Sequence, residues 1–274
     1  MKNIMIFAFI FCLTSTVFAD IIGHSVQGRD ITVEKYGENT ENAIVIMGGI
    51  HGKFEGVTVE LMVELKKYFS LHTPNVSVYI IENINPDTFF VLEPHTSDKP
   101  FHRFNQNRVD LNRNWLTSSW KADVTYNLRD FQRGAGGSSP MSEPEVQAVS
   151  SFILGLKSQH DNILVINYHS FIVSANDGIA QPSYTGSWDH PIVNEYASNM
   201  AKLFVSTAGI KYKYLHQWTQ YEVPGEFLNW AGDNNIAAID IELPNARGVN
   251  IVQEWKLSHY EQNLRAILAI ISSM

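Results

Sequence analysis

The chain has 274 residues, a formal charge of −8 at pH 7, 45% hydrophobic residues and 12% aromatic residues. That apolar share is enough for a sizeable core and excludes a disordered chain, and the acidic balance excludes a nucleic-acid partner. The single cysteine, Cys12, stands near the amino terminus, which leaves the rest of the chain without a disulfide or a thiol nucleophile.

Residues 1–19 read MKNIMIFAFIFCLTSTVFA. Lys2 is a short positive start, Ile4 to Leu13 an apolar run, and Val17-Phe18-Ala19 a small-residue cleavage site. The run is too short for a comfortable membrane span. Residues 1–19 therefore read as a signal peptide and 20–274 as one exported domain, periplasmic or secreted. No stable membrane insertion is expected once the leader is cut.

Ile21 to Tyr36 is expected to be strand, with a turn at Gly28-Arg29. Asn42 to Met47 (NAIVIM) reads as a short buried strand ending at two glycines. Thr58 to Phe69 carries Leu61, Met62, Leu65 and Phe69 at helical spacing, with Lys66 and Lys67 facing outward. Val76 to Ile81 is the next strand, completing a β-α-β unit. Residues 82–141, broken by Pro86, Pro94, Pro100 and Pro140, are a long irregular excursion, and such loops are usually functional. Ser142-Glu143-Pro144-Glu145 reads as a capping box opening a helix to about Leu156. Ile163 to Tyr168 and Ile236 to Leu243 are buried strands, and Pro191 to Ala208 and Ile251 to Ile271 are helices. The alternation predicts a single α/β domain with a mixed, mostly parallel central sheet flanked by helices.

Two histidines, His51 and His169, follow buried strands, and that sheet edge is where ligands bind in open α/β folds. A catalytic zinc takes three protein ligands and leaves one position open, so the pair needs a nearby carboxylate. The bland alternative for each histidine is a hydrogen-bonded structural role. In GGIHGKFEG, residues 48–56, Glu55 lies four positions after His51. An ungapped alignment to a two-residue spacer would instead put Phe54 at the ligand position. Gly52 and Gly56 bracket the stretch, so one extra residue can be absorbed before the helix starts. Further on, VDLNRNW at 109–115 packs amide and guanidinium groups into a short loop, a combination suited to gripping a carboxylate.

In order along the chain, IGHSVQGRDI, GGIHG, RFNQNRVDLNRNW, SPMSEPEVQAV followed by VINYHS, YEVPGEFLNWAG and IDIELP resemble the zinc metallocarboxypeptidases of the M14 family, and within it the bacterial murein peptide amidase branch. The resemblance implies a carboxypeptidase-like fold and one zinc ion per chain, held by His51, His169 and, as candidate third ligand, Glu55. It implies that Arg103 polarises the scissile carbonyl and that Asn112 and Arg113 clamp a terminal carboxylate. Tyr221 would close over the substrate, and Glu242 would serve as general base and then general acid. Arg108 stands where relatives often carry glycine and receives no role. The branch's activity is cleavage between γ-D-glutamate and diaminopimelate in peptidoglycan stem peptides, so a peptide or muropeptide is the expected substrate. Asp240, two before Glu242 on the same strand face, is the first candidate for receiving a substrate ammonium, and Glu226 the second. A zinc-dependent deacylase, an ordinary carboxypeptidase and an inert peptide-binding relative are the competing readings.

Overall fold

A computed structural model of the protein describes residues 19–90, 103–126, 130–170, 177–209, 211–218, 220–244 and 251–274. The expected leader up to residue 18, Pro94, Pro100 and His102 lie outside the described residues. The elements in chain order are β1 (Ala19–His24), β2 (Asp30–Tyr36), β3 (Asn42–Met47), α1 (Gly56–Leu71), β4 (Ser77–Ile81), β5 (Val124–Tyr126), β6 (Asp130–Gln132), α2 (Pro144–Lys157), β7 (Asn162–Ser170), β8 (Gly178–Pro182), β9 (Tyr184–Ser187), β10 (His190–Val193), α3 (Glu195–Ala208), β11 (Tyr212–Tyr214), α4 (Phe227–Asp233), β12 (Ala237–Leu243) and α5 (Ile251–Ser273).

Eight of the strands form one mixed sheet in the order β1-β2-β4-β3-β7-β12-β8-β11. Its centre, β4-β3-β7-β12, is parallel, and antiparallel pairs join β1, β2 and β8 to it. Central strands are covered on both faces, which is why they read as unbroken apolar runs. Ile44, Ile46, Leu164, Ile166, Ile239 and Ile241 point into one core with Met62 and Leu65 of α1, Phe204 of α3 and Ile267 of α5. Their neighbours Val45, Val165 and Ala238 face a second core with Val146 and Val149 of α2, Trp115, and Phe227 and Trp230 of α4. Each fully buried aliphatic side chain contributes about 1.5–3 kcal/mol by leaving water.

Two boundaries differ from the sequence reading. Helix α2 begins at Pro144, and its N-cap is Glu143, without a side-chain cap bond. The Ser142 hydroxyl is diverted, donating to Glu143 Oε1 at 2.6 Å, while Glu145 accepts from the Val26 amide at 3.0 Å. The expected capping box is thus spent on tertiary contacts. Pro191 to Val193 are not helical but pair with β9 in a hairpin. Asn194, a better cap, starts α3 by accepting from the Ala197 amide at 2.9 Å. Strands β8 to β11 had no counterpart in the sequence reading. Among the described residues, no helix is long and apolar enough to cross a membrane.

Candidate metal centre

Beyond β3 the chain runs through Gly48-Gly49-Ile50 to a buried His51 and then tightens into a 3-10 turn, Gly52–Glu55. Gly52 enters that turn at φ 54°. A Cβ there would stand 1.9 Å from the Thr88 hydroxyl, so both its backbone angle and its surroundings require glycine. The turn consumes the extra residue, and Glu55 arrives as the N-cap residue of α1. Its Oε1 lies 2.6 Å from His51 Nδ1 and its Oε2 lies 3.3 Å from His169 Nδ1. Phe54 is carried away from this point, its ring facing the Arg103 guanidinium at 5.9 Å.

His51, Glu55 and His169 are all buried, and one donor atom from each falls within 4.8 Å of the others. Glu55 Oε2 has no hydrogen-bond partner with acceptable geometry despite being inaccessible to water. A buried carboxylate oxygen left in this state is costly. Two imidazoles and one carboxylate converging on a point are the donor set of a catalytic zinc site, and the residues present fit that ion. Burial would raise the Glu55 carboxyl, but His51 and His169 outweigh burial and lower it.

Behind His51 stands Asp110. It caps a second 3-10 turn, Leu111–Arg113, by accepting from the Asn112 amide at 2.9 Å. The same oxygen lies 3.1 Å from His51 Nε2. The other accepts from Arg103 Nε at 2.9 Å and from the Tyr126 hydroxyl at 2.6 Å. Burial alone would raise the Asp110 carboxyl, yet Arg103, His51 and Arg113 hold it well below the usual carboxylate range. The sequence reading gave Asp110 no role. Its signal was an aspartate immediately before Leu-Asn-Arg, a natural cap for a short turn.

His169 comes from β7, directly opposite Glu242 of β12, and the next pair on the same face is Asn167 opposite Asp240. Strand period places all four side chains on one face. Glu242 is half-buried at the strand end. Burial and the neighbouring Glu55 and Asp240 raise its carboxyl pKa, more than His169 and Arg103 lower it. Asp240 is turned inward, with Oδ1 accepting from Asn167 Nδ2 at 3.0 Å and Oδ2 3.4 Å from His169 Nε2.

The 103–113 loop supplies the cations. Burial works against the charge on Arg103, and Asp110 and Tyr126 more than restore it, so its pKa is raised. Arg113 is buried, faces the Tyr126 ring at 5.1 Å and has no partner for its Nε. Asn112 Oδ1 accepts from the Phe227 amide at 2.9 Å, which ties the loop to the start of α4. Glu226, the residue before, is buried and accepts from the Tyr184 hydroxyl at 2.5 Å. Burial pushes its carboxyl up to about 7, Tyr184 and Arg113 opposing and Asp240 adding to the rise. Tyr221 is half-buried, edge-on to Trp218 at 5.6 Å. Trp230 packs in the core, 4.7 Å from Trp115. Arg108 adopts φ 61°, a conformation that explains why glycine suits that position.

A model of the family described as zinc carboxypeptidase, Peptidase M14, matches residues 14–263. Murein peptide amidase A of Escherichia coli K12 is 27% identical over 207 residues, covering 73% of this chain and 70% of that protein. Among solved structures, bovine thrombin-activatable fibrinolysis inhibitor superposes with a TM-score of 0.72 at 20% identity, covering 94% of this chain and 90% of that one. Murein-tripeptide amidase from Escherichia coli O157 gives 0.57 at 20% identity, covering 92% and 91%. These structures share the fold described above.

Proposed function

The chain belongs to the zinc carboxypeptidase family of M14 peptidases, and on that premise we propose that it is an exported amidase acting on carboxylate-ended peptidoglycan stem peptides. As a member of the family it is a zinc hydrolase. We assign the ion to His51, Glu55 and His169, one per chain. The similarity to murein peptide amidases supports the bond between γ-D-glutamate and diaminopimelate, or one near it, as the target. The expected leader supports a periplasmic location.

Zinc, when bound there, supplies Lewis acidity that makes water a competent nucleophile near neutral pH. Glu242 takes the proton from that water and passes it to the leaving amine, which its raised pKa suits. Arg103, held by Asp110, presents its remaining N–H groups to the oxygen that gains charge as the amide carbon becomes tetrahedral. Arg113 and Asn112 orient the terminal carboxylate, and Tyr221 covers it. The observation that carries the carboxylate-ended substrate is Arg113, buried with an unpartnered Nε. A buried guanidinium N–H in that state lacks an acceptor, and a carboxylate supplies one in bidentate geometry. Diaminopimelate also brings an ammonium. We place it on Glu226, a buried carboxylate that feels the Arg113 charge and accepts from Tyr184 at one oxygen.

The test is incubation of the zinc-loaded protein with L-Ala-γ-D-Glu-diaminopimelate, an all-L alanine-ended tripeptide and N-acetyl amino acids, with products identified by mass spectrometry. Release of diaminopimelate at a kcat/KM at least about tenfold above the others is expected. Faster cleavage of the all-L peptide or of the N-acetyl substrates would overturn the assignment.

A further inference from the structure

Both candidate zinc histidines meet Glu55 through the same nitrogen. His51 and His169 each turn Nδ1 toward it, which leaves both Nε2 atoms pointing away from the ion. A histidine that gives Nδ1 to a metal carries its proton on Nε2, and a buried N–H needs an acceptor. For His51 that acceptor is Asp110, at 3.1 Å.

For His169 the surroundings are set by the ladder between β7 and β12. Asn167 and Asp240 are the next cross-strand pair on the same face as His169 and Glu242, with Tyr168 and Ile241 between them pointing the other way. His169 Nε2 lies 2.8 Å from Asn167 Nδ2 and 3.4 Å from Asp240 Oδ2, and Asn167 Nδ2 also donates to Asp240 Oδ1. Asn167 Nδ2 is a donor and cannot accept the Nε2 proton. Its present contact belongs to the tautomer with the proton on Nδ1, against Glu55. Once Nδ1 serves a metal, the acceptor in reach is the Asp240 carboxylate.

We propose that Asp240 is a positioning residue for His169, holding its Nε2–H as Asp110 holds that of His51, while Asn167 aims the Asp240 carboxylate. The inference rests on the zinc reading. It gives Asp240 a duty different from the ammonium contact expected from the sequence, and leaves that contact to Glu226.

Zinc affinity separates the two duties. Apo-protein, Asp240→Asn and Asp110→Asn are titrated with zinc against a chromogenic chelator at pH 7. Both variants should bind zinc about 10–100-fold more weakly, the usual effect of losing an outer hydrogen-bond partner of a metal-bound histidine. At saturating zinc, the Asp240→Asn KM should change by the same factor for ammonium-bearing and neutral-ended peptides. An independent reading uses the unaltered protein. In the zinc-loaded wild type, the His169 Nε2 proton should appear by nuclear magnetic resonance as a slowly exchanging imidazole signal. Zinc affinity of Asp240→Asn within twofold of wild type, with KM raised only for ammonium-bearing ends, overturns the inference. So does rapid solvent exchange of the His169 Nε2 proton in the wild type. A wild type that takes up no zinc overturns the zinc reading together with this inference. Normal uptake that Asp240→Asn leaves intact overturns this inference alone.

Discussion

Two glutamates with raised pKa values, Glu226 buried and Glu242 half-buried, sit within this site, and they separate by what they touch. Glu242 stands at the open strand end beside His169, where a proton can reach water and leaving group. Glu242→Gln should keep zinc binding and lower kcat by about 10²–10⁴, the range for loss of a general base, measured on a stem peptide with metal content checked alongside. Glu226 is enclosed with Tyr184, and its effect is on stability and specificity. Its carboxyl rises from 4.5 to about 7 on folding. Between those values the folded chain keeps a proton that the unfolded chain has released. Stability is therefore full below about pH 4.5 and is lost as pH rises through 7. Glu226→Gln removes that loss, so the variant should match wild type at pH 4.5 and exceed it by roughly 2–3 kcal/mol at pH 8 in thermal unfolding. The same variant should lose its preference for ammonium-bearing ends. An equal stability difference at both pH values would show that Glu226 does not titrate in this window. In the sequence, His51 and His169 stood out as candidates by their strand ends, and Arg103, Arg113 and Glu242 by the resemblance of the motifs that carry them. The partnerships of Asp110 with His51 and Tyr184 with Glu226 were not legible there. They join residues 59 and 42 positions apart, and nothing local says which residue each of them meets.

The extra residue between His51 and Glu55 is resolved by one turn. Its geometry depends on Gly52 at φ 54° and on Thr88, whose hydroxyl accepts from the Lys53 amide at 2.9 Å and donates to the Asn85 carbonyl at 3.1 Å. Gly52→Ala puts a Cβ onto that hydroxyl. It should destabilise the protein by about 3 kcal/mol through strain and overpacking and weaken zinc binding, since the turn delivers Glu55. Urea unfolding with a chelator titration checks both, and unchanged zinc affinity would mean that the turn does not set the ligand position. A second tie fixes the amino-terminal strands to the loop after β4. Asp87, fully buried, accepts from the Ser25 hydroxyl at 2.6 Å, the Gln27 amide at 3.0 Å and Arg29 at 2.8 Å. Asp87→Ala leaves those donors unsatisfied and should cost about 2–4 kcal/mol in the same urea experiment. At this scale β3, β4, β7 and β12 were readable, because strands covered on both faces are short apolar runs. Strands β8, β9 and β11, written GIAQP, YTGS and YKY, carry no such run. Their pairing is set by the strands they meet: β8 runs against β12, β11 lies parallel to β8, and β9 forms a hairpin with β10. Helix α2 starts late for a related reason, since long-range partners take the groups that a local rule would use as caps.

Across the whole molecule the site is a concentration of negative charge inside an apolar frame. Glu55, Asp110, Asp240 and Glu226 are buried and Glu242 half-buried, against Arg103 and Arg113. Carboxylates placed this way repel one another and resist desolvation, which is why Glu226 and Glu242 are shifted upward. A divalent cation at His51, Glu55 and His169 offsets part of that excess, so metal and fold are coupled. A ligand that binds only the folded state stabilises it by RT ln(1 + [L]/Kd), about 4 kcal/mol at a thousandfold excess over Kd. For a domain of this size that corresponds to roughly 8–16 °C in Tm. Chelator-stripped protein should therefore gain about 10 °C on zinc addition, and Glu55→Gln, which removes both a ligand and one of the crowded charges, should lose most of that response. The stripped variant should at the same time be less stable than the stripped wild type, because His51 and His169 hold the Glu55 carboxylate ionised in the folded chain. Differential scanning calorimetry of the four samples tests the coupling. A zinc response that survives Glu55→Gln would remove Glu55 from the ligand set. A stripped variant as stable as stripped wild type would show that the histidine contacts of Glu55 do not outweigh the burial of its charge.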